Sequence, residues 1–218
     1  LKSTESGKNI IITTSRLVKK NGVDTLIEAA GELKKRGVQF VVRILGGGPD
    51  ESELVNLAKQ LGVADRVEFF GSVAQTELPR HLADADIFAR ASRSEGLGNS
   101  FLEAMAVGLP VIGTPVGGIP DFLKDGETGL FCQPENAKDL ADKIERLIKD
   151  RKLAFAIAEQ LQLVDGRLQL PLTPQAREVL LTDKFDHIFY AVYDARGELL
   201  AVSAARVQEL RESVVAVA

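Results

Sequence analysis

The sequence predicts an α/β fold, a doubly wound parallel sheet over residues 8–150, followed by a mixed α and β extension. Two observations predict it. Short runs rich in β-branched and aromatic residues are separated by helical patterns of about 10–15 residues, which argues for a parallel sheet covered on both faces. Residues with chemical potential (Arg16, the turns at Gly46 and Gly71, and Glu95) follow directly on predicted strands. Ligands of such sheets sit beyond the carboxyl ends of the strands, so four loops meet on one edge. The pattern is Rossmann-like.

The first strand is Asn9-Ile-Ile-Ile-Thr-Thr14, and it leads through Arg16 into a helix over about Val23 to Lys35. Gln39-Phe-Val-Val-Arg-Ile-Leu45 is the second strand and ends at Gly46-Gly-Gly-Pro49. Glu51, Leu54, Leu57, Ala58 and Leu61 then recur at helical spacing. Arg66-Val-Glu-Phe-Phe70 is the third strand, and a short helix with Leu78 and Leu82 precedes the fourth, Asp86-Ile-Phe-Ala89. A helix over 99–108 carries Glu103 and leads into the fifth strand, Leu109-Pro-Val-Ile-Gly113. Gly129-Leu-Phe-Cys132 is the last short strand, and Leu140, Ile144, Leu147 and Ile148 mark a closing helix over Asp139–Lys149.

Composition narrows the function. A chain of 218 residues, 45% hydrophobic and 27% charged, is that of a globular protein with one large or two small domains. A net charge of −4 with interspersed lysines and arginines offers no footprint for nucleic acid or an anionic membrane. No run of about 20 apolar residues predicts a membrane span. The opening Leu1-Lys-Ser-Thr-Glu-Ser-Gly7 is too polar for a signal peptide, so a cytoplasmic location is expected. Cys132 is the lone cysteine, read as a buried small residue, with a reactive thiol as the alternative; it excludes an internal disulfide framework. His81 and His187 are far apart, no metal-ligand spacing occurs, and no metal is expected.

The most informative run is Arg93-Ser-Glu95-Gly-Leu-Gly98-Asn99-Ser100-Phe-Leu-Glu103, which places one carboxylate in the loop before a helix and one about a turn inside it. A helix N-terminus has unpaired N–H groups and a partial positive charge, and it can hold a phosphate. The two acids could then take hydroxyls on either side of a diphosphate, with a sugar at one end and a ribose at the other. Spacing alone leaves open an ordinary loop with a solvated Glu95 and a surface Glu103. Gly46, Gly47 and Gly48 are similarly open between a plain turn and a cradle near phosphates; they fit neither the dinucleotide pattern nor a Walker A loop.

Residues 9–150 resemble the nucleotide-sugar-binding half of a GT-B glycosyltransferase of the large retaining family 4. The match is carried by Ser15-Arg-Leu-Val-Lys-Lys-Asn-Gly22, Gly46-Gly-Gly-Pro49 and the run from Glu95 to Gly118. The resemblance implies that Glu95 is the catalytic, sugar-side glutamate and Glu103 the ribose-side one. It implies that Arg16 holds the diphosphate and that Gly98, Asn99 and Ser100 present the helix N-terminus to the donor. The family's usual lysine position holds Asn21; Lys20 is the neighbouring candidate for its place, from a different direction. The donor implied is a UDP-, GDP- or ADP-sugar, with no further cofactor, and nucleobase contacts are expected around Phe70 to Val73. The acceptor-side N-terminal domain of such enzymes is absent from this sequence, so transfer by the chain alone is not expected.

The rest of the chain departs from that pattern. Residues about 153–202 resemble the start of the extracytoplasmic sensor region of a TctE-like sensor histidine kinase, through Asp165-Gly-Arg167, Pro171-Leu-Thr-Pro174, Leu181-Thr-Asp183 and Phe189-Tyr-Ala-Val-Tyr-Asp194. Alternating apolar positions around Asp194-Ala-Arg-Gly197 predict a hairpin, and Ala205–Ala218 a final helix. The expected organisation is thus 1–150 as the donor-binding domain and 151–218 as a sensor-like helix and β-hairpin extension. Joining pieces from two compartments suggests an artificial or recombined chimera, with a natural fusion as the alternative. The functional alternatives are a non-catalytic structural or engineered module, or a sensor histidine kinase fragment. The sequence leaves the oligomeric state open.

Overall fold

The structure, a computed structural model, describes residues 8–96 and 98–158 and, beyond them, the backbone of four short strands. Six strands form one parallel sheet: β1 (Asn9–Thr14), β2 (Phe40–Leu45), β3 (Val67–Gly71), β4 (Ile87–Ala89), β5 (Val111–Gly113) and β6 (Leu130–Phe131). Their spatial order is β3-β2-β1-β4-β5-β6, so the chain reverses direction across the sheet between β1 and β4. In a doubly wound sheet that reversal opens a crevice at the carboxyl edge, where ligands bind.

The helices are α1 (Val23–Lys35), α2 (Glu51–Gln60), α3 (Leu78–Ala83), α4 (Asn99–Ala106), α5 (Ala137–Lys149) and α6 (Arg151–Ala158). Side chains alternate across a strand, and the two faces fill accordingly. Ile11, Val42, Ile44, Ile112 and Leu130 pack under α1, α2, α5 and α6 with Leu26, Leu33, Leu54, Ile144 and Ile157. Ile10, Ile12, Phe88 and Val111 pack on the other face with Leu82, Phe101, Leu102 and Met105 from α3 and α4. Phe88 meets Phe101 edge-on at 5.1 Å between ring centroids, which fixes α4 against the strand that leads into the Glu95 loop.

The sequence reading locates each of these elements through α5, with ends that shift by up to about two residues, the ordinary uncertainty of helix and strand boundaries. Helix α5 starts at Ala137 rather than Asp139, because Asn136 Oδ1 caps it by accepting from the Asp139 N–H at 3.0 Å. Past residue 150, α6 buries Ala154 and Ile157 in the same core as α1 and α5, so that core continues beyond the expected boundary. Further on, β7 (Gln162–Val164) pairs antiparallel with β8 (Arg167–Gln169), and β9 (Ala191–Tyr193) with β10 (Leu199–Ala201). The second pair is the hairpin expected around Asp194–Gly197, whose turn lies outside the described residues, as do the expected final helix at 205–218 and most of the sensor-like segments.

Candidate functional site

The loops after β1, β2, β3 and β4 are tied together at the carboxyl edge by backbone hydrogen bonds. The N–H of Ser15 donates to Leu45 O at 2.9 Å, that of Leu17 to Gly47 O at 3.0 Å and that of Gly46 to Gly71 O at 2.7 Å. The glycines have a local reason. A Cβ on Gly46, whose φ is +129°, would lie 1.9 Å from Ser15 O, and one on Gly48 would lie 2.2 Å from Leu17 O. These two glycines let the loop after β2 lie against the backbone beside Arg16, a close approach within the protein itself. A Cβ on Gly47 would meet only the Ser72 hydroxyl, at 3.1 Å. A shallow open depression borders this loop, lined by Gly48, Pro49, Ser52 and Asn56.

Arg90, the residue after β4, is the hub of the site, and the sequence reading passed over it. Its Nη2 lies 2.6 Å from Glu95 Oε2 and donates to Asn21 Oδ1 at 2.8 Å, and its Nη1 donates to Ser100 Oγ at 2.7 Å. Burial pulls the guanidinium below its usual pKa, against the opposing pull of the Glu95 charge. Asn21 in turn donates from Nδ2 to Arg16 O at 2.7 Å and is 4% exposed. Arg16, Asn21, Arg90, Glu95 and Ser100 therefore form one connected network drawn from three segments of the chain. The available signal was a charged residue directly behind the apolar run Ile87-Phe88-Ala89.

Glu95 is held on its other sides as well. Ser92 Oγ donates to its Oε2 at 3.3 Å and the Gly96 N–H to its Oε1 at 3.2 Å. The loop is strapped down by the Gly118 N–H donating to Gly96 O at 2.8 Å, and a Cβ on Gly117 would sit 1.8 Å from Glu95 O. The reading of Glu95 as a solvated loop residue therefore does not hold. Gly98 caps α4 in the left-handed region, with φ +80°, and offers no side chain to the first N–H groups of the helix. Asn99 is exposed beside it.

Glu103, half-buried on α4, has a different setting. Its Oε1 accepts from Gln75 Nε2 at 3.0 Å, which connects α4 to the loop after β3. Burial raises its carboxyl above the usual glutamate range, and the Gln75 amide only partly opposes that. The side chains of Arg16 and Lys20 are exposed and have no ion-pair partner among the described residues. Two neighbouring cations, by contrast, have structural partners. Arg93 grips Asp24 through Nη1 and Nη2 at 2.8 and 3.0 Å and reaches Glu135 through Nε at 2.8 Å, while Lys19 lies 2.6 Å from Asp24. Burial alone would push the Asp24 carboxyl up, but the bonds from Arg93 and Lys19 outweigh it and hold it low.

Cys132 is buried, and burial pushes its thiol up to about 12, which suits a packing residue better than a nucleophile. Among the described residues no group of three or more His, Cys, Asp or Glu side chains could hold a metal ion, and no helix is long and apolar enough to cross a membrane.

Comparison with known proteins adds two families. The model of the glycosyl transferases group 1 matches residues 2–163, and that of the two-component sensor kinase N-terminal region matches residues 138–215. The chain is 41% identical over 154 residues to the GDP-mannose-dependent alpha-(1-6)-phosphatidylinositol monomannoside mannosyltransferase of Mycobacterium tuberculosis, an alignment covering 67% of this chain and 40% of that protein. It is 32% identical over 198 residues to the N-acetyl-alpha-D-glucosaminyl L-malate synthase of Bacillus anthracis, covering 90% of this chain and 49% of the other. The chain thus spans less than half the length of these two relatives. Among solved structures, the C-terminal domain of the group 1 glycosyl transferase LpcC from Francisella tularensis superposes with a TM-score of 0.63 at 35% identity, covering 70% of this chain and 81% of that one. The UDP-glucose complex of Anabaena HepE gives 0.65 at 28% identity, covering 70% and 42%.

Proposed function

The chain belongs to the glycosyl transferases group 1 family, and from that premise we propose that its α/β domain binds a nucleoside-diphosphate sugar at the carboxyl edge of the sheet. Glu95 takes hydroxyls of the sugar, Glu103 takes the ribose, and the first N–H groups of α4 around Gly98, Asn99 and Ser100 face the diphosphate. Arg16 and Lys20 supply positive charge from the loop after β1, and the backbone of Gly46, Gly47 and Gly48 closes the same edge. The observation that carries this reading is the Arg90 network, which joins Glu95, the start of α4 and the backbone of Arg16 in one place. With cations and a helix terminus available, compensation of the leaving diphosphate needs no metal.

The mannosyltransferase and UDP-glucose relatives suggest GDP- and UDP-sugars as the first donors to try, with ADP-sugars as the third arm. Transfer itself needs an acceptor site and a closed cleft that excludes water. In the proposed division, residues 1–150 bind the donor and 151–218 form an extension. A cytoplasmic location goes with a nucleotide-sugar donor. Calorimetric titration with UDP, GDP and ADP and their sugar forms tests the reading: saturable binding of at least one pair is expected, and no binding by any of them would end it.

A second reading is favoured by one observation, the sensor-kinase match over residues 138–215, which overlaps the glycosyl transferase match. It makes the chain a recombined or engineered chimera whose tail derives from a sensor region. Removal of residues 164–218 then leaves nucleotide binding unchanged, and a loss of binding would tie the tail to the site.

A further inference from the structure

Arg90 presents a problem in placement. It follows three buried apolar residues, is itself 8% exposed, and its Nε is buried without a hydrogen-bond partner. Among the described residues, every bond its side chain makes goes through the Nη atoms, to Glu95, Asn21 and Ser100. A guanidinium so enclosed is not presented to a ligand. What it does fix is the geometry of Glu95. Oε2 of that carboxylate faces both Arg90 and the Ser92 hydroxyl, whereas Oε1, among the described residues, accepts only from the neighbouring Gly96 N–H. Each carboxylate oxygen has two lone-pair sites, so Oε1 retains capacity for one more donor.

We propose that Arg90 is a positioning residue for the donor's sugar: it locks Glu95 so that Oε1 is presented as acceptor to a sugar hydroxyl, without touching the donor itself. The proposal rests on the donor-binding reading above. Ordering a glutamate side chain costs rotamer freedom, and Arg90 imposes that order before the donor arrives, so it is not lost on binding. Asn21 completes the device. Its Oδ1 accepts from Arg90 while its Nδ2 donates to Arg16 O, so the loop bearing the proposed diphosphate-side cation is registered against the residue that orients the sugar-side acid. A lysine at position 21 would set a second cation against Arg90 and remove the acceptor. Asn21 therefore belongs with Arg90 and is not simply a lost cation.

The test is titration of the full chain with UDP, GDP and ADP and with UDP-glucose, GDP-mannose and ADP-glucose, for wild type, R90M, R90K, E95Q and R90M/E95Q. For the pair that wild type binds, R90M should weaken the sugar form by about tenfold or more, the scale of a lost charge-assisted contact, and the bare diphosphate by clearly less, since Arg90 reaches the diphosphate side only through Asn21 and Ser100. R90K keeps the charge but loses the planar fork, so it should show the same selective loss, smaller in size, and it decides the matter if R90M does not fold. The double variant should bind the sugar form no worse than E95Q alone, because Arg90 acts through Glu95. Equal losses for bare and sugar-bearing nucleotides, or additive losses in the double variant, would overturn the positioning role. Absence of any nucleotide binding by wild type would instead bring down the donor-site reading, and this inference with it.

Discussion

Glu95 and Glu103 stand eight positions apart in one motif, yet the fold gives them opposite surroundings. Glu95 lies in a loop held by a buried arginine, a serine hydroxyl and a backbone N–H. Glu103 sits on a helix with, among the described residues, a single neutral partner, Gln75, and burial makes its charge costly. One acid is fixed by charge, the other by packing. In the proposed site, the sugar-side carboxylate gains from this rigid ionic frame, and α4 places the proposed ribose-side one.

The sharpest way to break the comparison is through stability. Glu95→Ala leaves Arg90 buried with no charge partner and should cost about 3–5 kcal/mol, the scale for one partner removed from a buried ion pair. Glu103→Ala removes a half-buried acid with one neutral hydrogen bond and should cost less than about 1 kcal/mol. Urea unfolding of the two variants measures both. Similar losses would mean that the two settings are energetically alike and that the Arg90 frame adds nothing.

Next in size come the binding effects. Arg16→Ala should weaken nucleoside diphosphate binding by about 1.5–3 kcal/mol, the range for a hydrogen bond to a charged group. Unchanged affinity within error takes Arg16 out of the site. Glu103→Ala should weaken the bare nucleotide by about 1 kcal/mol, since its proposed partner is the ribose, while Glu95→Gln should spare the bare nucleotide and weaken only the sugar form. Parallel titrations of the nucleoside diphosphate and its sugar form separate the two roles, and equal losses on the bare nucleotide would erase the division of labour.

The parts of this site differ in how readable they were from sequence. Strand–helix alternation was enough to place β1, α1 and the loops of the carboxyl edge, because hydrophobic periodicity is a local property. The pair Glu95 and Glu103 was visible as a motif, but not the contrast between them, which depends on Arg90 and Gln75 arriving from other loops. Asn21 was legible only as a departure from an expected lysine; its role needs Arg90, 69 positions later. Gly46 and Gly48 were open between a plain turn and a cradle near phosphates; their local reason lay elsewhere, since the backbone of Ser15 and Leu17 occupies the room a Cβ would need. A helix was expected in the extension but without bounds, because the family pattern appeared to stop at Asp150, while burial of Ala154 and Ile157 depends on the core they share with α1 and α5.

The smallest expected effect is the part of the pH dependence of stability that Glu103 supplies. Its folded pKa is raised, chiefly by burial. The folded protein therefore holds that proton more tightly than the unfolded chain does. Its contribution to stability is fully present below the ordinary glutamate value and is lost as pH rises through the raised folded value. Glu103→Gln removes the titration and keeps an oxygen for the Gln75 amide to donate to. The variant should gain about 0.5–1 kcal/mol over wild type at about pH 7.5, and the difference should vanish at about pH 3.5, below the ordinary glutamate value. Urea melts of the two proteins at both pH values measure the difference directly. A gain of the same size in acid would trace to packing rather than charge, and a loss at neutral pH would mean that the ionised carboxylate has a stabilising partner in the fold.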